Sequence, residues 1–393
     1  MPDQPEALSL RMRIAIIGGG PAGLYFAYLM QRQDRRHRIV VIEQNPRELT
    51  WGFGVVFSHR ALDFLHRDDP DTFALLRAHM ESWPDQQIVH GDERVLIDGN
   101  GFSAIPRLKL LQLLHGLAEP LGVDIRFATT AGDLKLYLDA DLVVGADGIN
   151  SLVRSTFAAR FRPSIEYLGN KFAWYGTAQR FGHLTLTFRA SRDGAFVAHH
   201  YRYSPSMSTF IVECDAPTWE RAGFARMSDA ESRAYCEQVF APDLNGHSLD
   251  SNKSVWRNFP LVTNERWTYG NVVLIGDALR SVHFSIGSGT RLAMEDALFL
   301  SRALSAERES VPAALTRFTA ERRPIVDAML AAAAKSCEWY EQFAGKMHLD
   351  AYALAYDYMT RSGRMTDARL AEIAPRFTAA LAARAMRPTA HQA

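Results

Sequence analysis

The stretch from Arg13 to Gln33, RIAIIGGGPAGLYFAYLMQRQ, constrains this chain more than any other. A short apolar run leads into Gly18, Gly20 and Gly23 at the spacing GxGxxG, and Leu24, Tyr25, Tyr28 and Leu29 then fall on one side of a helix. HRIVVIEQN follows as a second buried strand, so the segment reads as a βαβ unit with a right-handed crossover in a parallel sheet. Glu43 stands twenty residues after Gly23. Each part has a mechanical reason, namely a tight turn, backbone lying close to a pyrophosphate beside Pro21 and Ala22, close helix packing, and a carboxylate for a ribose 2'-hydroxyl. A carboxylate at that place repels a 2'-phosphate, so FAD or NAD fits the loop better than NADP. The loop alone does not choose between those two. A merely structural glycine turn is the plain alternative, and the strand, helix and acid standing where the ligand needs them speak against it.

The rest of the composition removes other classes. At 393 residues and 47% hydrophobic the chain can bury one large core or two smaller ones. Forty-four basic residues balance forty-four acidic ones, so no global field draws in nucleic acid or an anionic membrane, and an anionic ligand must be met by local charges. Cys214, Cys236 and Cys337 are widely spaced and form no metal-ligand pattern, which suits a reduced, cytoplasmic setting and no bound metal. The uncharged run from Ile14 to Met30 is broken at Gly18–Pro21, where a membrane-spanning helix would be continuous. Residues 1–11 read as a disordered leader.

Further along, Leu108, Leu111, Leu114 and Leu117 mark a helix between Pro106 and Leu121, and DADLVVGADG ends another parallel-type strand in a turn. Between Leu184 and Cys214 the period changes to two, giving three antiparallel strands separated by a DG hairpin and a Ser-Pro-Ser turn. NVVLIGDA returns to a buried strand, TRLAMEDALFLSRAL to a helix whose Glu295 and Asp296 read as helix surface and cofactor support, and Val311–Cys337 to long helices. The fold class is therefore α/β, a Rossmann-like dinucleotide domain (12–165 and 257–330) interleaved with an antiparallel substrate sheet (166–256), followed by C-terminal helices (331–393).

DLVVGADGINSLVR, with Asp147, and VVLIGDALRSVHFSIGSGTRLAMEDA, with Asp277, occur in the order and at the distances found in the para-hydroxybenzoate-hydroxylase-like FAD monooxygenases, which the chain resembles over nearly its whole length. The resemblance implies that Asp147 belongs to the FAD site, that Asp277 meets the ribityl chain, and that Arg107 lies beside the phosphates and ribityl. The helix starting near Thr290 would present its partly positive N-terminus to the isoalloxazine, with Gly287 and Gly289 letting the backbone approach the ring. The usual loop, GDAAHxxxP..GxGxN, is altered here by Leu279, Arg280, Phe284 and Arg291. HFSIGSGT, GNKFAWYGT, WGFGVVFS, HHYRYSPSMSTFIVEC and WRNFP instead resemble the branch that holds the aryl-CoA hydroxylases, among them those acting on salicylyl-CoA and anthraniloyl-CoA, together with the violacein-pathway hydroxylase.

Family resemblance implies a single-component hydroxylase: FAD, reduced by transiently bound NADH or NADPH, reacts with O₂ to a C4a-hydroperoxyflavin that attacks an electron-rich ring. The preferred substrate is an aryl-CoA thioester such as salicylyl-CoA, hydroxylated at position 5. KSCEWYEQF and YMTRSGRM resemble the CoA-thioester enzymes, and Arg361 and Arg364 would pair with CoA phosphates unless they are solvated arginines of a surface turn. GNKFAWYGT and MSTFIVEC lie nearer the indole-type enzyme, which keeps an indolic or other natural-product substrate as the rival. Arg280 and Arg291 also leave open a flavin-binding protein without hydroxylase activity. Alternation puts His199, Tyr201 and Tyr203 on one strand face, with His199 and Tyr201 facing substrate or forming a hydrogen-bonded core pair. Trp174, Tyr175 and Phe284 wall the pocket or pack the core, and His283 is the acid–base candidate because histidine titrates near neutrality. The oligomeric state is not legible.

Overall fold

A computed structural model describes residues 11–385. The leader, apart from Arg11, and the last eight residues fall outside the described residues.

The strand Arg13–Ile17 is the centre of a six-stranded sheet, flanked in parallel by Arg38–Ile42 and Leu142–Gly145 with Ile14 opposite both Ile39 and Leu142. Beyond them lie Asp124–Arg126 on one side and Val272–Leu274, then antiparallel Thr268–Tyr269, on the other. From Ile14 onward the central strand is buried at every position, because helices cover both faces and no face can be polar. The fingerprint helix, Pro21–Gln33, packs between the helices Arg107–Ala118 and Gly289–Ala306.

The second sheet has eight strands, in the order Leu249–Ser251, Pro163–Thr177, Ser208–Cys214, Gly194–Arg202, Leu184–Ser191, Gln86–His90 and Glu93–Ile97, with Arg257–Asn264 also paired to Pro163–Thr177. The three expected strands are its middle. Its limits, however, correct the expected domain boundaries. Gln86–His90 pairs parallel to Leu184–Ser191, and Arg257–Asn264 joins from the other side, so the sheet draws on both segments assigned to the dinucleotide domain. The boundary at 330/331 also falls inside one 31-residue helix, Val311–Glu341, which keeps its course past Pro324. A small third sheet, Gly54–Ser58, Phe102–Pro106 and Glu81–Trp83, bridges the two larger ones. Among the described residues no helix is long and apolar enough to cross a membrane.

The period of two gives the eight-stranded sheet two different faces. Ala173, Tyr175, Phe196, Ala198, Phe210, Val212 and Cys214 pack beneath the helices Ala216–Ala222 and Asp229–Val239. The opposite face carries Phe172, Trp174, His199, Tyr201, Ile211 and Glu213, as the pairings His199↔Ile211 and Phe172↔Glu213 require. C-terminal helices cover part of that face through Trp339, Tyr340, Leu354 and Tyr358 packed on Leu186, Phe188 and Val197.

The acidic pair of the helix Gly289–Ala306 is buried, which corrects its expected place on the surface. Asp296, fully buried, accepts from Arg280 Nη1 (2.6 Å) and Nη2 (3.1 Å), from Arg322 Nε (2.9 Å) and from the backbone N–H of Gly276 (2.9 Å). Glu295 bridges Arg322 (2.9 Å) and Arg291 (2.8 Å). Arg280 and Arg291 thus carry a structural ion network. Removing one partner of such a cluster leaves buried charge uncompensated, so Asp296→Ala should cost about 3–5 kcal/mol in urea unfolding. Arg280→Ala combined with it should cost clearly less than the sum of the two, because both changes break one network.

Candidate active site

Several of the residues expected to hold a dinucleotide lie against one another, and the open space beside Gly20 and Gly289 makes a trough. Gly18 has φ +107°, and a Cβ there would come within 2.3 Å of Ala146 O, so only glycine makes this turn. Gly20 caps the fingerprint helix, whose first turn holds no acidic residue, and a Cβ on Gly20 would meet nothing within 4 Å. Gly23 closes the turn so tightly that a Cβ there would lie 2.1 Å from Gly18 O. The second loop abuts the first, Gly276 lying against Ala22. Glu43 Oε2 accepts from Gly19 N–H, and its Oε1 from the backbone and side-chain N–H groups of Asn45, each at 2.7 Å.

Arg107 starts its own helix, donates Nε to Thr50 Oγ1 (3.3 Å), and keeps both terminal nitrogens without a partner among the described residues. Enclosure lowers the proton affinity of its guanidinium, against the fields of Asp277 and then Tyr201. Asp277 itself is exposed in the trough, while Gly289, at the start of the helix Gly289–Ala306, has open space where a Cβ would be. Gly287, φ +56°, faces Val56, and Thr290 is half-buried in the first turn of that helix. A helix N-terminus open at Gly20, a free cation beside a carboxylate, and a second helix N-terminus open at Gly289 fit the pyrophosphate, polyol and ring ends of FAD in that order. Asp147 stands at the fingerprint turn with its side chain engaged locally. Its oxygens accept from Ser151 Oγ (2.5 Å), Leu152 N–H (2.6 Å) and Val153 N–H (3.1 Å), so the side chain caps the short helix Leu152–Thr156 while its backbone packs against Gly18.

Where the trough meets the eight-stranded sheet, rings converge. Phe284 lies 5.1 Å from Phe172, 5.2 Å from His199 and 4.0 Å from His283 between ring centroids. Phe259 reaches His283 at 4.9 Å and Tyr340 stacks on His199 at 5.0 Å. Burial holds His199 down to about 3, aided by Arg361. It holds His283 down to about 4, against Glu213 and with His199 and Arg361. Both imidazoles are therefore neutral at physiological pH. His283 Nδ1 accepts from Ser285 N–H (3.3 Å), which leaves the proton on Nε2. Burial thus moves His283 away from the near-neutral titration that singled it out as the acid–base candidate and leaves a neutral imidazole with Nε2–H as a donor.

Several expected pocket residues are placed elsewhere. Tyr175 follows Trp174 on the same strand and so points to the far face, where its hydroxyl meets Ser232 Oγ (3.1 Å); it is not a pocket wall. Trp174 is on the pocket face, half-buried, with Nε1 enclosed and unpartnered. Tyr201 donates its hydroxyl to Gly54 O (2.9 Å), and burial raises its pKa. Tyr203 packs against Gly54 and Val56 as a prop for the bridging sheet. Arg361 turns inward, giving Nε to Ser336 Oγ (3.0 Å), Nη1 to Tyr358 O (2.6 Å) and Nη2 to Ser285 O (2.9 Å) while stacking on Tyr358. A fork so engaged is not offered to a phosphate, whereas the side chain of Arg364 is exposed and meets Met329 Sδ (3.3 Å).

One buried acid escaped the sequence reading. Glu213 is 1% exposed; its Oε1 accepts from Asn170 Nδ2 (2.8 Å), and its Oε2 lies 3.7 Å from His199 Nε2, both of those facing atoms enclosed and without a hydrogen bond. A lone carboxylate inside the apolar strand STFIVEC was the available signal for it.

Known proteins align along the same lines. A family model described as "FAD binding domain" matches residues 117–333, and one described as "NAD(P)-binding Rossmann-like domain" matches residues 16–77. Salicyloyl-CoA 5-hydroxylase of a Streptomyces species is 41% identical over 362 residues, covering 89% of this chain and 70% of that protein. Protodeoxyviolaceinate monooxygenase of Chromobacterium violaceum is 37% identical over 360 residues, 89% of this chain and 94% of that one. A 3-hydroxy-4-methyl-anthranilyl-[aryl-carrier protein] 5-monooxygenase of Streptosporangium sibiricum is 36% identical over 356 residues, 90% of this chain and 95% of that one. A crystal structure of a mutant 2-methyl-3-hydroxypyridine-5-carboxylic acid oxygenase superposes with a TM-score of 0.71 at 20% identity, covering 93% of this chain and 96% of that one, and so shares the fold.

Three variants test the placement. A histidine whose folded pKa is depressed adds stability above the unfolded value of 6.5, and that stability drains away as pH falls toward the folded value. For His283 the loss between pH 6.5 and 4 is on the order of 2–3 kcal/mol. Glu213, raised by burial, titrates with the opposite sign. Unfolding midpoints of His283→Gln measured across that range should therefore show a flatter acid limb than the parent protein. Tyr175→Phe should cost about 1 kcal/mol of stability and leave ring hydroxylation intact, whereas Trp174→Ala should raise KM for the aromatic substrate.

Proposed function

The chain belongs to the FAD-dependent aromatic monooxygenases, which use NAD(P)H and O₂, and from that premise we propose that it hydroxylates the ring of an aryl-CoA thioester of the salicyloyl type at position 5. The observation that carries the reading is 41% identity to a salicyloyl-CoA 5-hydroxylase along 89% of this chain. FAD, when bound, takes reducing equivalents from NAD(P)H and activates O₂ for transfer of one oxygen atom.

The chain's own residues supply the rest. Gly18, Gly20, Pro21, Ala22, Gly23, Glu43, Arg107, Asp277, Gly287, Gly289 and Thr290 hold the dinucleotide and direct its ring end to Phe284. Phe172, Phe259, Phe284 and Trp174 enclose the aromatic ring and exclude water that would waste the activated oxygen. His283 donates Nε2–H to the oxygen on the ring, stabilising negative charge there as the ring is attacked. Arg364 remains the arginine of the C-terminal segment open to a CoA phosphate. Three buried free thiols suit a cytoplasmic setting.

A second reading, an indolic substrate, draws on the protodeoxyviolaceinate monooxygenase, 94% of whose length this chain covers, and on the inward turn of Arg361, which takes away one expected phosphate contact.

The test follows NAD(P)H oxidation by the holoenzyme with salicyloyl-CoA, anthraniloyl-CoA, the free acids and indoles, with products weighed by mass. The thioester reading expects strong stimulation by salicyloyl-CoA, little by the free acids, and a gain of one oxygen. Stimulation by indoles only would replace it with the second reading. His283→Ala should keep its FAD yet lose about 10²-fold in hydroxylation.

A further inference from the structure

Glu213 has no reason to be in a β-strand core. It occupies the middle strand of the pocket face, opposite Val197 on one side and Phe172 on the other, where the neighbouring buried positions are apolar. Packing alone favours a hydrocarbon there, because an isolated buried carboxylate carries a desolvation cost that one hydrogen bond from Asn170 only partly offsets. Its second oxygen is aimed at another orphan. Oε2 and His199 Nε2 face each other at 3.7 Å, within about 1 Å of hydrogen-bond contact, and neither has another partner. His199 stacks on Tyr340 on one side and meets the edge of Phe284 on the other, so its ring is fixed with Nε2 toward Glu213 and Nδ1 on the opposite edge.

We propose that Glu213 is the proton acceptor of the ring pocket, receiving through His199 the proton of a hydroxyl carried by the bound aromatic substrate. The inference rests on the reading above that the substrate ring carries such a group. The step balances. The ring O–H bond breaks and its proton goes to His199 Nδ1; the Nε2–H bond breaks and that proton goes to Glu213 Oε2; His199 ends neutral in its other tautomer. One negative charge has moved from carboxylate to ring oxygen, and no new charge has been created in the enclosed space. That conservation is what makes the transfer cheap there, since forming an imidazolium–phenolate pair would instead separate charge where burial already opposes a charged His199. Glu213 acts through His199 and does not touch the ring.

The groups facing Glu213 support the same direction. Burial raises the proton affinity of Glu213, and the bond from Asn170, on the strand Pro163–Thr177, opposes that only in part, so a proton that reaches the carboxylate through His199 is held there. From the long helix, Glu341 is tied to the backbone N–H groups of Gly169 and Asn170, and the Tyr340 hydroxyl and Cys337 thiol are pushed up by burial and hold their protons. Arg361, stacked on Tyr358, opposes a proton on His199 and on His283. None of these competes for the proton that Glu213 takes.

The test is the pH dependence of the bound ring's ionisation. The holoenzyme is mixed with salicyloyl-CoA without NAD(P)H, binding is read from the flavin spectrum, and the phenolate band is followed with pH. Internal transfer to Glu213 makes the phenolate fraction nearly flat across neutral pH in the parent protein. In Glu213→Gln, which keeps the shape and the bond from Asn170, the proton must leave for bulk water. The band should then titrate steeply with pH, and turnover at neutral pH should fall about tenfold and recover as pH rises. An unchanged, flat profile in Glu213→Gln overturns the proposal while leaving the substrate reading standing. Failure of salicyloyl-CoA to perturb the parent flavin overturns both. The infrared difference spectrum of the unmutated holoenzyme on ligand binding gives an independent check should the variant not fold. A new carboxylic-acid carbonyl band is expected, and its absence sinks the relay.

Discussion

One carboxylate holds the cofactor half of the molecule to the substrate half. Asp296 binds the Gly276 turn, the Arg280 that follows it, and Arg322 of the long helix, all out of contact with water. The turn presents Asp277 to the trough, while the helix beginning at Val311 runs 31 residues, about 45 Å, to deliver Ser336, Tyr340 and Glu341 to the pocket. Displacing either end relative to the other would expose a buried ion. The cofactor trough and the aromatic pocket are thereby set in one frame, which is what a reaction between two ligands needs, since a misplacement of about 1 Å is expensive for bringing reactive groups together.

What was legible in the sequence was what short-range chemistry decides. Gly18, Gly20, Gly23 and Glu43 are spaced along one turn and two strands, and the DG and Ser-Pro-Ser turns set their hairpins from neighbouring residues alone. What stayed hidden depends on partners far along the chain. Gln86–His90 joins the substrate sheet only because Leu184–Ser191 leaves an edge about a hundred residues later, which no local pattern announces. Trp174 and Tyr175 look equivalent as letters, yet alternation must send them to opposite faces, and the sequence does not say which face meets the cofactor. Asp296 and Arg361 are charged residues, for which exposure is the ordinary expectation; each is turned inward by a partner 25 to 76 positions away.

The two glycine loops do different work although they look alike. The first is a place where backbone must be bare, because Gly18 is pressed against Ala146 and Gly20 opens outward. The second, between Gly276 and Thr290, spends its polar groups on the protein: Ser281 binds Val262 and Pro260, Arg280 binds Asp296, and Ser285 meets His283, Ser336 and Arg361. Its departure from the usual family wording follows from that. With arginine in place of histidine, the loop is fastened from beneath by an ion pair, and a histidine stands three residues on, at His283, beside the aromatic pocket.

Relatives that share this frame are named for different substrates, a CoA thioester, a carrier-protein-bound ring and protodeoxyviolaceinate. Where the trough meets the eight-stranded sheet the lining is aromatic, with Phe172, Phe259 and Phe284 converging on two neutral histidines, and a pocket of that kind distinguishes rings by shape and by where a hydroxyl can meet a donor. It cannot read a nucleotide tail or a carrier protein, which must lie outside. On the aryl-CoA reading proposed above, recognition of the carrier falls to the outer surface near Arg364, where the charge is solvated and each contact is worth little by itself.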